Sequence, residues 1–235
     1  MHRLVALLAL SGCDSVFGLD TVGVRNGMPV FVEANGVARS SSESPVQTLE
    51  VSLDTATQDN LIVVAICQIP HNGVTGISDD NQTTYTNLPI GASTPALQSY
   101  VYWSRVTKTR SPFKVRVTFD AEGGYSPDLR VAEYANIAEL MPVENAGAQT
   151  DPSAASIKLM IDVPVVPALV FASSCVGSQA TDVTGFTSRV FTTPNGDLIA
   201  DQIVTTAGPL AVTAGQTDVS GLILQLVAFA GGPLP

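Results

Sequence analysis

The sequence predicts an all-β protein, an antiparallel β-sandwich, and three observations carry that expectation. Phe113-Lys-Val-Arg-Val-Thr-Phe119 alternates apolar and polar residues without a break, the period of a strand with one buried and one wet face. Short apolar runs recur along the whole chain between turn clusters, punctuated by 19 glycines and 15 prolines. No stretch keeps a helical period.

The elements follow in order. Val30–Ala34 is a brief strand, and Thr48–Asp54 alternates with Leu49, Val51 and Leu53 inward. Asn60-Leu-Ile-Val-Val-Ala-Ile-Cys67 is apolar after its first residue, as in a strand covered on both faces. Thr83–Thr86 follows the turn Ser78-Asp-Asp-Asn81. Tyr100–Val106, the polar turn Thr107–Pro112 and Phe113–Phe119 read as a hairpin holding the only Trp and two of the five Tyr, with Trp103, Phe113, Val115, Val117 and Phe119 expected to be buried. Leu129–Ala135 closes the first half.

The second half echoes the first. Ile157–Asp162 and Ala168–Cys175 mirror Leu49–Asp54 and Asn60–Cys67 at a spacing of about 108 residues, too long for a solenoid. Asp197–Val204 and Leu222–Ala230 echo the Tyr100 and Val131 strands. The expected organisation is one sandwich domain over 29–235, built from pseudo-repeated halves at about 29–143 and 156–235 that share a core, with the polar, aperiodic segment 144–155 as the crossing between them; two independent domains are the alternative.

Ahead of that domain, Met1-His-Arg3 is basic, Leu4–Leu10 is apolar but far shorter than the roughly 20 residues a membrane-spanning helix needs, and Leu10-Ser-Gly-Cys13 follows at once. This resembles the signal and lipobox of bacterial lipoproteins. The resemblance implies a signal peptide over 1–12, lipidation (palmitate among the acyl chains) of Cys13, and a tether over 13–28 that holds the domain close to a membrane; more than one acyl chain makes such anchoring stable. Asp14 leaves inner and outer membrane both open.

Within the domain, Asn60–Ala65, Asp79-Asp-Asn-Gln-Thr-Thr-Tyr85, Tyr100-Val-Tyr-Trp103, Val115–Phe119, Val131-Ala-Glu-Tyr-Ala135 and Leu226–Phe229 occur in the order of a family of bacterial secreted, jelly-roll-like β-sandwich modules of unassigned function, which the chain resembles over about 48–230. Gln82 and Thr83 stand where that family has Gly and Asn. The resemblance implies adhesive or carbohydrate-binding company and supplies no catalytic residues.

Composition narrows function. Charged residues are 14 % of the chain and its net charge is −10, which disfavours nucleic acid as a partner because phosphate binding needs clustered Lys and Arg. His2 leaves with the signal, so His71, in the turn Pro70-His-Asn-Gly73, is the one remaining imidazole, and no nucleophile elbow is present. Asp128, Glu133, Asp162 and Asp201 are carboxyls without a signature spacing. Acidic turns offer calcium candidates in Asp79, Asp80 and Asp120, although Asp is also a good turn former.

The expected function is therefore a non-catalytic, lipid-anchored module of the bacterial cell envelope, periplasmic or surface-facing, without a cofactor. It would bind a glycan or an envelope protein or serve a structural role, with Tyr85, Tyr100, Tyr102 and Tyr125 as candidate binding residues. The alternative is a glycan-processing hydrolase with a carboxylate pair. Cys67 and Cys175 hold equivalent positions in the two halves. On strands lying side by side and antiparallel they would be about 20 Å apart, so two free, buried thiols are expected.

Overall fold

A computed structural model describes residues 27–39, 44–70, 73–120, 124–139 and 142–232. Cys13, His71 and the signal and tether segments up to residue 26 lie outside the described residues. Among the described residues there is no helix, and so none long and apolar enough to cross a membrane.

The strands are β1 (Val30–Ala38), β2 (Thr48–Leu53), β3 (Leu61–Ile69), β4 (Val74–Asp79), β5 (Thr86–Asn87), β6 (Ala92–Ser93), β7 (Gln98–Arg105), β8 (Phe113–Phe119) and β9 (Tyr125–Ala135), then β10 (Val143–Val163), β11 (Ala168–Val176), β12 (Ala180–Val183), β13 (Thr187–Phe191), β14 (Leu198–Val204) and β15 (Gly208–Ala230). Every pairing is antiparallel. One sheet runs β1-β9-β3-β7-β5, with β6 also on β7; a second runs β10-β15-β11-β14-β13, with β12 on β15; a three-stranded sheet runs β2-β8-β4.

Face alternation stacks these sheets. Ile62, Val64 and Ile66 of β3 point toward Leu49, Val51 and Leu53 of β2 and Phe113, Val115 and Val117 of β8, forming an outer core. Their sequence neighbours Leu61, Val63 and Ala65 point the other way, onto Leu169 and Phe171 of β11 and Val227 and Phe229 of β15, forming a middle core. A third core lies on the far face of the second sheet, where Val170, Leu224 and Leu226 meet Ile157, Ile161 and Val212. The continuous apolar runs of β3 and β11 follow from this, since each strand is covered on both faces. Full burial of rings such as Phe113 and Phe171 contributes about 1.5–3 kcal/mol each.

The outer layer of the second half is made by two long strands folding over. The first part of β10 (143–151) pairs with 222–229 of β15 inside the second sheet, while 156–163 pairs with 208–215 as a ribbon above it, and the register is irregular between Asp151 and Ser156. Residues 144–155, expected as a crossing without periodicity, are thus strand. Their alternation is weak because this is a sheet-edge segment with both faces partly buried.

The expected hairpin is not formed. β7 pairs with β3 in the first sheet and β8 with β2 and β4 in the layer above, so the turn 107–112 arches between layers. Alternation on β8 is real, with Phe113, Val115, Val117 and Phe119 buried and Lys114, Arg116 and Thr118 toward solvent, but a wet and a dry face do not say which strand lies alongside. Trp103 is half-buried at the rim of the middle core, because so large a ring is seldom fully covered near a strand end. The strand expected at Thr83–Thr86 is only β5, Thr86–Asn87.

Cys67 and Cys175 are bonded, with Cα atoms 5.6 Å apart, which corrects the expectation of free thiols. β3 and β11 are not neighbours in one sheet; they belong to facing sheets. Equivalent residues of two such halves are either far apart or meet where the halves face each other, and the 108-residue pair meets. The same interface is tied by polar groups: the Ser99 hydroxyl donates to Gln225 Oε1 at 2.6 Å, and Tyr134 Oη donates to Asp201 Oδ2 at 3.0 Å.

Candidate functional site

Two concave regions carry chemistry. The first is a groove of about 430 Å³ lined by Val74–Ser78 of β4, by Gln82–Tyr85 and by Tyr102 of β7. It exists because the three-stranded outer layer covers a wider sheet and leaves the β7 side partly bare. Tyr100 and Tyr102, two residues apart on one face, lie against the edge of the outer core with ring centroids 6.3 Å apart. Burial pushes both hydroxyls to higher pKa.

Asp79 builds the groove wall. Its Oδ1 accepts the N–H groups of Asn81 (2.8 Å) and Thr83 (3.1 Å) and the Thr83 hydroxyl (3.1 Å), and its Oδ2 accepts the Tyr85 hydroxyl at 3.0 Å. A carboxylate at the head of a turn satisfies amides that would otherwise go unpaired. Gln82 takes the left-handed φ of 56°, the conformation glycine adopts without cost. Burial, then the Asp79 charge, raises the Tyr85 hydroxyl pKa far above its ordinary value.

The candidate calcium ligands are spent on such turns and do not converge. Asp80 Oδ2 accepts the Lys114 N–H and Asp120 Oδ2 the Gly73 N–H. Asp79 stands opposite Val115, so Asp120 lies roughly 16 Å further along β8 at about 3.3 Å per residue. Tyr85, Tyr100 and Tyr102 are brought together, whereas Tyr125 is at the start of β9 opposite Ile69, away from the groove.

The second region is a pocket of about 620 Å³ whose wall includes Cys67, Gln68, Ser126, Ser178, Asn195 and Asp197. The turn 192–197 delivers Asp197: Gly196, at φ 80°, donates its N–H to Thr192 O, and Thr192 N–H donates to Asp197 O. Asp197 Oδ1 accepts the Val176 N–H at 2.8 Å. Behind it Arg130 Nε lies 2.5 Å from Asp128 Oδ1, a charge contact outside hydrogen-bond geometry, while Nη1 donates to the carbonyls of Ser174 and Leu198. Thr192 Oγ1 donates to Asp128 Oδ2.

Two carboxyls and one guanidinium thus sit together out of water, with Asp128 the one in contact with Arg130. Burial raises the pKa of Asp128 against the pull of Arg130 and Thr192, and raises that of Asp197 further because the Asp128 charge adds to burial. Asp128 does not line the pocket. The other carboxyls considered are dispersed. Glu133 accepts from Thr57 N–H and Asn60 Nδ2, Asp201 is clamped by Arg189, which stacks on Phe31, and Asp162 is exposed.

Sequence reasoning missed Arg130 and Asp197. A charge inside the apolar run Leu129–Ala132 was the available signal, because a charged residue survives at full burial only with partners. No protein-family profile, curated protein or solved structure matches the chain.

Proposed function

We propose that the protein is a non-catalytic, lipid-anchored module of the bacterial cell envelope that binds a glycan in the groove of Tyr85 and Tyr102. The observation that carries this reading is the groove itself: a partly bare aromatic face in a wall that also holds the polar residues Thr75, Ser78, Gln82, Thr83 and Thr84 offers a sugar both an apolar surface and polar groups beside it. The lipidated Cys13 and the short tether of the lipobox reading put that groove close to a membrane. The connectivity supports a jelly-roll-like unit repeated in two halves, with β1-β9-β3-β7 beneath β2-β8-β4 in the first and the corresponding parts of β10, β15, β11, β14 and β12 in the second. A hydrolase would need two carboxyls open to substrate, and the Asp128–Asp197 pair presents only Asp197 to its pocket.

A glycan array with the chain lacking residues 1–13 tests the binding reading. The chain should retain a defined glycan, and Tyr102→Ala should weaken it at least about tenfold, the scale of losing one aromatic contact. Retention of no glycan, or equal retention by both chains, would overturn it. Labelling with a palmitate analogue tests the anchor: Cys13→Ser should lose the label that the parent incorporates.

A further inference from the structure

Cys67, Cys175 and Asp197 come from the end of β3, the end of β11 and the turn before β14. The Cys67–Cys175 bond joins the two sulfurs, and packing sets a carboxylate oxygen of Asp197 within 4.8 Å of both; among the described residues this is the one grouping of three potential metal-ligating side chains. All three are buried, yet Cys67 and Asp197 form part of the wall of the 620 Å³ pocket. The Val176 N–H fixes the carboxyl.

We propose that reduction of the Cys67–Cys175 bridge converts this cluster into a site for a thiophilic divalent cation, zinc or cadmium, held by both thiolates and Asp197 with a fourth position facing the pocket. Two sulfurs and one oxygen form a donor set such ions accept in tetrahedral sites. Metal–sulfur bonds of about 2.3 Å place two thiolates about 3.8 Å apart, a separation that side chains on Cα atoms 5.6 Å apart reach by side-chain rotation. Two thiolates, one carboxylate and a divalent cation sum to one negative charge, two fewer than the three anionic ligands carry without the ion.

The chemistry balances with a dithiol as reductant. Its first thiolate bonds to one cysteine sulfur and the S–S bond breaks; its second thiol closes the reductant to a cyclic disulfide and releases that sulfur. Two electrons and two protons pass to the cysteines. The cation then displaces the two thiol protons. In the oxidised chain neither sulfur is a thiolate, so the redox state of the bridge switches the site.

The test uses the full chain carrying Cys13→Ser, reduced with dithiothreitol, freed of reductant without oxygen, and titrated with cadmium while the ultraviolet cadmium–thiolate band and the thermal melt are read. The reduced chain should bind one ion with a two-thiolate band and a raised Tm, and the oxidised chain should show no band. Cys175→Ser should halve the band, and Asp197→Asn should keep both thiols yet bind at least about tenfold more weakly. If reduction loosens the fold, cadmium must restore the folded melt. The proposal fails if two thiols react with a thiol reagent but no band saturates at one ion, if the band forms without a folded melt, or if Asp197→Asn binds as tightly as its parent.

Discussion

The two halves pair their strands alike but finish their outer cores differently. Positions are matched through the 108-residue offset of the bonded cysteines: Tyr102, opposite Val64, corresponds to Ala200, opposite Ala172, and Tyr100 corresponds to Leu198. The tyrosines are half-buried, Tyr102 in the groove wall and Tyr100 beside it, whereas Ala200 and Leu198 are fully buried in a core closed by Val183 and Phe186. One plan therefore gives an open aromatic face in one half and a sealed one in the other. The difference lies in which side chains β7 and β14 carry at matched positions.

The middle interface contrasts as well. Arg130 corresponds to Gln225, and each reaches across to the other half's backbone, Arg130 to Ser174 and Leu198 and Gln225 to Ile90 and Ser99. Only Arg130 also carries a charge, which lies against the buried carboxyl of Asp128. Arg130→Met should cost about 3–5 kcal/mol, the cost of breaking a buried pair by removing one partner, and Gln225→Met about 1–3 kcal/mol for unpaired neutral groups. Urea unfolding of the two variants checks this. Equal losses would mean that Arg130 acts as a polar bridge and not as a counter-ion.

How much was legible follows from the same residues. Alternation in Phe113–Phe119 and continuous apolarity in Leu61–Cys67 are local consequences of burial, so the class of fold and the buried face of β8 could be read directly. Partnership is not local: nothing in Tyr100–Phe119 distinguishes an arch between layers from a hairpin within one. The cysteines failed for that reason, since strand ends 108 residues apart meet only if the sheets face each other. Tyr85, Tyr100 and Tyr102 were legible as aromatics near a turn, but their gathering at a groove depends on an outer layer narrower than the sheet beneath it.

Exchanging the matched side chains probes that gathering. Ala200→Tyr forces a ring into a closed core and should cost about 1–3 kcal/mol or more through overpacking. Tyr102→Ala removes a ring from a half-open groove and should cost less, about 1 kcal/mol. Thermal melts of both variants rank them. Should Tyr102→Ala prove the more damaging, the tyrosine is a core residue and the groove is not a preformed site.

The smallest effect concerns Glu133, whose matched position is Ala228, so its titration belongs to the first half alone. Glu133 is buried, lies across the strand pair from Glu33, and accepts hydrogen bonds from Thr57 N–H and Asn60 Nδ2. Burial raises its pKa above the ordinary 4.5, against the pull of those two donors and with the Glu33 charge adding to the rise. A carboxyl whose pKa is higher folded than unfolded holds its proton more tightly in the native state. Its contribution to stability is therefore fully present below the unfolded pKa and is lost as pH rises through the folded one. Glu133→Gln keeps an oxygen for Thr57 and removes the titration. Relative to its parent the variant should gain stability as pH is raised from about 4.5 toward neutrality, measured as the difference between their urea midpoints across that window. A difference that stays constant with pH would place the carboxylate in contact with water and remove the burial penalty on which the sign depends.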